Sequence, residues 1–208
     1  MKKDTLKMST VGILTGDIIS SRSKLTHEWQ PMLTSILNQY GKEPTDWELF
    51  RGDSFQIRVA ADKALKTAIH IKAGIKQITP LDVRIAIGIG LEDHPSNRIT
   101  SSTGSAFVLS GACFDALKKQ TLAIATADNH LDEVLNLILS LASLTMDNWS
   151  PATAEAIQNA IENPKMNQEA LAKKMKKSQS SVSEALKRGG YDVVMRMEQF
   201  FRRQLIET

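Results

Sequence analysis

"TVGILTGDIISSR" occupies Thr10–Arg22, and its reading decides the fold. Thr10 to Ile19 has the β-branched and aliphatic make-up of a strand. Gly16-Asp17 interrupts it before Ile18-Ile19 resumes. The same gesture recurs in "FRGDSFQIRV", Phe50–Val59, where Arg51-Gly52-Asp53-Ser54 separates the strand-like runs Trp47–Phe50 and Phe55–Ala60 as a hairpin would. Two readings stand for these Gly-Asp pairs. Each is an ordinary turn or cap, or the two carboxylates share one site.

Working outward, Trp29, Met32, Leu33, Ile36, Leu37 and Tyr40 recur at helical spacing, with Gly41 as a stop. Ala64, Leu65, Ala68, Ile71, Ile75 and Ile78 mark a second helix, closed by Pro80. "DVRIAIGIG", Asp82–Gly90, alternates at period two and predicts a strand. Leu91 to Thr103 is polar loop, Gly104 to Gln120 a third helix, and Leu122 to Thr126 a strand. The order β-α-β-β-α-β-α-β predicts an α+β fold on a ferredoxin-like βαββαβ core, its helices covering one face of a mostly antiparallel sheet.

In such a sheet the first and third strands are central neighbours, so Asp17 and Asp53 approach each other. Two close carboxylates repel, and a divalent ion relieves that repulsion. Mg²⁺ favours one or two carboxylates plus substrate phosphates. Gly16 and Gly52 would let a phosphate come close, and Arg22, Arg51 and Arg98 are candidate phosphate contacts. His27, His70, His94 and His130 have no metal-ligand spacing, which argues against zinc.

Beyond Thr126, Leu131, Val134, Leu135, Ile138, Leu139 and Leu141 predict a helix apolar on more than one face, buried between domains or subunits. "TMDNWSP" then leads into a helix with Ser150 as N-cap and Pro151 at its first position. Asn167 caps "QEALAKKM", a tight break follows at Lys176-Lys177, and Ser178 caps "QSSVSEALKR", which Gly189-Gly190 ends. Two short helices, a tight turn and a Gln/Ser-rich start to the second make a helix-turn-helix pattern. Gln168, Ser178, Gln179, Ser180, Ser181 and Ser183 can reach base edges, while Lys173, Lys174, Lys177, Lys187 and Arg188 can neutralise phosphates. The alternative is a three-helix bundle with serine caps and a solvated lysine face. The last helix, Tyr191 to Ile206, carries Val194, Met197, Phe200, Phe201 and Leu205 on one side, for core packing or a homodimer interface.

Charge follows this division. Residues 1–148 hold 16 basic and 16 acidic side chains, whereas residues 149–208 hold 10 against 7, so the net +3 lies wholly in the last quarter. A length of 208 residues suits one sizeable domain and a small one. No apolar run reaches the roughly 20 residues of a membrane span. The basic start, Met1–Thr5, lacks the pattern of a secretory leader. Cys113, the lone cysteine, suits a reducing cytoplasm and reads as buried filler among Ala112, Phe114 and Ala116.

"GDIISSR", "RGDSFQ", "VRIAIGIG" and "GSAFVLSGACFDAL" together resemble the SatD family of bacterial proteins over nearly the whole chain. More distantly, residues 1–126 are similar to the palm-type domain of class III nucleotidyl cyclases. There, an Asp-Ile strand, matched by Asp17-Ile18, and a Gly-Asp hairpin, matched by Gly52-Asp53, supply two metal-binding aspartates. The resemblance implies Mg²⁺ or Mn²⁺ at Asp17 and Asp53, holding a nucleotide. The chain departs from the cyclase pattern at Leu49, where a purine-reading lysine is expected, and in the third helix, which lacks the asparagine and arginine of the transition state.

The expectation is thus a palm-like domain at 1–126, a connecting helix and linker at 127–149, and a DNA-binding helix-turn-helix domain at 150–208. The corresponding function is a cytoplasmic regulator that binds double-stranded DNA and a metal-nucleotide, with no residue assigned to catalysis. A metal-dependent nucleotidyl cyclase or transferase and a non-catalytic interaction module are the other readings.

Overall fold

The computed structural model describes residues 10–206, so the basic start at Met1–Thr5 lies outside the described residues. Five strands form one sheet: β1 (Thr10–Ile19), β2 (Trp47–Phe50), β3 (Ser54–Ala60), β4 (Asp82–Leu91) and β5 (Leu122–Ala125). Their spatial order is β2-β3-β1-β4-β5. The long first strand is central, antiparallel to β3 and to β4, and β4 pairs parallel with β5, so the sheet is mixed. Helices α1 (Thr26–Leu37) and α2 (Ala64–Ile75) connect β1 to β2 and β3 to β4.

Alternation then assigns the faces. Ile57, Leu14, Ile87 and Ile124 stand in one cross-sheet row and are all buried beneath α1 and α2. Each such side chain contributes about 1.5–3 kcal/mol by leaving water. This row is the centre of the core.

The expectation of helices on one face alone is corrected by α3 (Ser105–Ala116), which packs across the opposite face. There Val11 and Ile13 meet Ala106 and Phe107, and Ala86 and Ala123 meet Cys113, Phe114 and Leu117. The reason lies in β4, whose residues on that side shrink to Ala86, Gly88 and Gly90. A Cβ on Gly88 would sit 2.2 Å from the Ala106 carbonyl oxygen, so the glycine is what admits the helix. Burial pushes the Cys113 thiol up to about 11, in keeping with packing rather than reactivity.

The remaining helices are α4 (Asn129–Met146), α5 (Pro151–Glu162), α6 (Gln168–Lys174), α7 (Gln179–Arg188) and α8 (Tyr191–Ile206). Asp128 caps α4 by accepting from the His130 and Leu131 amides. Asn136 of α4 completes the edge of β5, accepting from the Ile124 amide at 2.9 Å and donating to its carbonyl at 2.8 Å. Only one side of α4 is covered: Leu135 and Leu139 are buried, while Leu137, Leu141 and Leu144 are 60–71% exposed, as is Val193 of α8 at 60%.

The C-terminal helices continue the sheet's core rather than starting a separate one. Leu171, Leu186, Val194 and Phe201 belong to the same buried cluster as Leu14. Ile157 and Ile161 of α5 are buried in that cluster with Ile71 and Ile75 of α2. Trp149 donates from Nε1 to the Gly189 carbonyl at 2.9 Å, tying the linker to the end of α7. Buried Lys72 is held by Asp82 at 2.7 Å, Asp147 at 2.8 Å and Thr121 at 3.2 Å, which pins α2, β4 and the end of α4 together.

Candidate functional site

Two places carry the sequence-expected residues. The first is the sheet end where β1 leaves β3 and β4. Register sets Asp17 opposite Ser54 on one side and opposite Arg84 on the other. Asp53 sits one residue beyond, in the hairpin, where its carbonyl accepts from the Ile18 amide at 3.1 Å. The pairing of β1 with β3 thus brings Asp17 and Asp53 to the same end of the sheet.

Neither carboxylate is free. Arg84 donates from Nε to Asp17 Oδ1 at 3.0 Å and from Nη2 to Oδ2 at 2.5 Å, a bidentate fork. Ser21 donates to Asp53 Oδ2 at 2.6 Å. The hydrogen bonds from Arg84 to Asp17, then the charges of Asp17 and Asp53, outweigh burial and raise the guanidinium above its usual range. The Arg84 Cζ lies 5.5 Å from the Phe114 ring centroid, so α3 supports the guanidinium from its own side. Among the described residues, no three His, Cys, Asp or Glu side chains come together as a cation cage. As they stand, with both oxygens of Asp17 on Arg84, these residues do not fit a divalent ion.

The other expected nucleotide contacts scatter. Arg22, in the 3-10 turn Ser21–Ser23, and Arg51, at the hairpin with φ 52°, are exposed. Gly52 has φ 91° and open space around it, as a tight turn requires. Gly16 leaves no such opening, because a Cβ there would sit 2.4 Å from the Phe55 ring. The Ile18 side chain is buried on the α1–α2 face, away from Asp17. Arg98 is spent on the buried Glu48 of β2, whose other oxygen accepts from Thr100 at 2.7 Å. Arg84 is the residue sequence reasoning missed. Its signal was a lone cation on a strand, directly across from Asp17 once the register is drawn.

The second place is α6–α7. Asn167 accepts from the Ala170 amide at 2.9 Å and Ser178 from the Ser181 amide at 3.2 Å, so both expected caps are present. The chain reverses through Lys176 at φ 54°. Val182, Ala185 and Leu186 face the core, leaving Gln179, Ser180, Ser181, Lys187 and Arg188 exposed and Ser183 half-buried. Gln168, Lys173 and Lys174 are exposed on α6. Some of the cations are engaged: Lys177 pairs with Glu155, Lys174 donates to the Asn163 side chain at 2.8 Å, and Arg188 lies 3.9 Å from Glu184. Among the described residues, Lys173 and Lys187 have no acidic partner.

Comparison with known proteins gives a family match. The SatD family profile covers residues 10–205. No curated protein matches the chain. Among solved structures, a bacterial light-regulated adenylyl cyclase is similar at 18% identity and a TM-score of 0.37, covering 57% of this chain and 43% of that one.

Proposed function

The chain belongs to the SatD family, and from that premise we propose that it is a regulator that binds double-stranded DNA through a helix-turn-helix formed by α6 and α7. The observation that carries this is the outward face of α7. Its N-terminal half presents Gln179, Ser180 and Ser183, side chains that donate and accept hydrogen bonds, and Lys187 follows one turn on. A helix of this kind inserts its first turns into the major groove, where such side chains read base edges. Lys173 and Lys174 on α6 flank it as phosphate contacts. The net positive charge of residues 149–208 supports the same reading.

Selection from a randomised duplex pool tests it. The expected result is an enriched sequence whose preference relaxes in Gln179→Ala and Ser183→Ala while weak non-specific binding persists. A pool that is never retained, even at low salt, would reject DNA binding.

In this reading the α+β half is palm-like and serves as the sensing half, with a nucleotide as its effector. Exposed Arg22, in the turn after β1, and exposed Arg51, in the hairpin that carries Asp53, are the side chains on hand for its phosphates. Calorimetry with each nucleoside triphosphate, with and without Mn²⁺, tests that element separately. The enzyme reading requires Asp17 to release Arg84, and no observation favours it.

A further inference from the structure

We infer that Arg84 is the resident cation of the sheet end that carries Asp17 and Asp53, and that it occupies the Asp17 oxygens a divalent ion would otherwise take. This concerns the sheet end alone and stands whether or not α7 binds DNA.

Three observations converge. The antiparallel register of β1 with β4 sets Arg84 directly across from Asp17, so the pairing is built into the sheet and does not depend on a mobile loop. The fork is bidentate, at 3.0 and 2.5 Å, and uses both oxygens that would face an ion. Asp53 stands one residue beyond Ser54, the strand partner of Asp17, so it lies at the same sheet end, where Ser21 donates to its Oδ2 at 2.6 Å. The charge of Asp17 is therefore answered by a cation of the chain itself, which relieves like-charge repulsion at this sheet end as a metal does elsewhere. Phe114 on α3 completes the holder, and α3 reaches that face only because Gly88 admits it.

Mg²⁺ dehydrates reluctantly and demands near-octahedral oxygen ligands. At this site it would have to expel a guanidinium that is hydrogen-bonded at both ends of its fork and lies against an aromatic ring. Asp53 alone would remain as a ready ligand. The sheet end is thus metal-independent, and removing Arg84 should uncover a metal site hidden beneath it.

Mn²⁺ binding to the full chain, read by electron paramagnetic resonance of the free ion, tests this. The wild type is expected to show no site tighter than about 1 mM that depends on Asp17 or Asp53. Arg84→Ala is expected to gain one site about tenfold tighter or better, lost again in Arg84→Ala/Asp17→Asn and Arg84→Ala/Asp53→Asn. Arg84→Lys, which keeps the cation, should behave as wild type. Wild-type binding that Asp17→Asn or Asp53→Asn abolishes would overturn the inference, and so would an Arg84→Ala chain that folds by circular dichroism yet gains no site. Should that variant fail to fold, Arg84→Gln carries the gain-of-binding arm, and the wild-type titration decides by itself against the inference if it is positive.

Discussion

Replacing Lys173, Lys174 and Lys187 together with alanine removes three cations on α6 and α7 that, among the described residues, are not held by an acidic neighbour. Each phosphate contact releases condensed counterions, so the logarithm of the binding constant falls against the logarithm of salt by about 0.9 per contact. Three lost contacts should flatten that slope by about 2.7. At 0.1 M salt the same term predicts an affinity loss of about 500-fold, shrinking as salt rises. Stability should barely change, since all three side chains are exposed. Fluorescence anisotropy with a labelled duplex, repeated at four or five salt concentrations, yields slope and affinity together. A triple variant with the wild-type slope would refute the placement of DNA on this face. A general fall in affinity with the slope unchanged would do the same, because it would point to lost structure rather than lost phosphate contacts.

Three further outcomes follow from the packing. Lys72→Met leaves Asp82 with Lys76 alone, at 3.3 Å, and Asp147 without its cation. Both retain some solvent, at 14% and 34% exposure, so the cost should be about 2–3 kcal/mol, below that of a fully buried pair, and thermal unfolding should show it as a fall of about 5–10 °C. His70 is buried between Tyr40 at 2.9 Å and Glu162 at 3.0 Å, and burial, opposed by the Glu162 bond, holds it below its usual 6.5. The unfolded chain then binds the proton first, so His70's contribution is full above about pH 6.5 and is lost as pH falls below it. Glu198, raised by burial, slopes the other way, with its contribution lost as pH rises through its folded value. His70→Gln should therefore flatten the fall in urea midpoint below pH 6.5, and an unchanged profile would exonerate His70. Finally, Leu141 and Val193 line an apolar groove of about 320 Å³ between α4 and α8, and Leu137 and Leu144 add exposed apolar surface on α4. As a homodimer surface it predicts two chains per particle in sedimentation and one chain in Leu141→Asp; a monomeric wild type would end that expectation.

Local chemistry was the readable part of the sequence. Helical spacing, the Pro151 start and the caps Ser150, Asn167 and Ser178 depend on neighbours a few residues away, and each appears where the pattern put it. The adjacency of β1 and β3 was readable too, because a βαββαβ order leaves few sheets to choose from. What escaped depended on contacts far apart in the chain. The side taken by α3 follows from small residues on β4, whose meaning emerges only when Ala106 is packed against Gly88. Arg84 looked like one polar residue in an alternating strand until its cross-strand partner was known. Arg98, expected near phosphates, is drawn to Glu48 two strands from Asp17. The apolar face of α4 was expected to be covered, and within one chain it is not.

The most direct measurement of the central claim is an amide-resolved NMR titration of the full chain with a selected duplex. DNA reading by α7 predicts shifts concentrated at Gln168, Lys173, Gln179, Ser180, Ser183 and Lys187, with the sheet amides around Leu14 and Ile87 unmoved. Shifts centred on the Asp17 end of the sheet or on the leucine face of α4, with α7 silent, would contradict it.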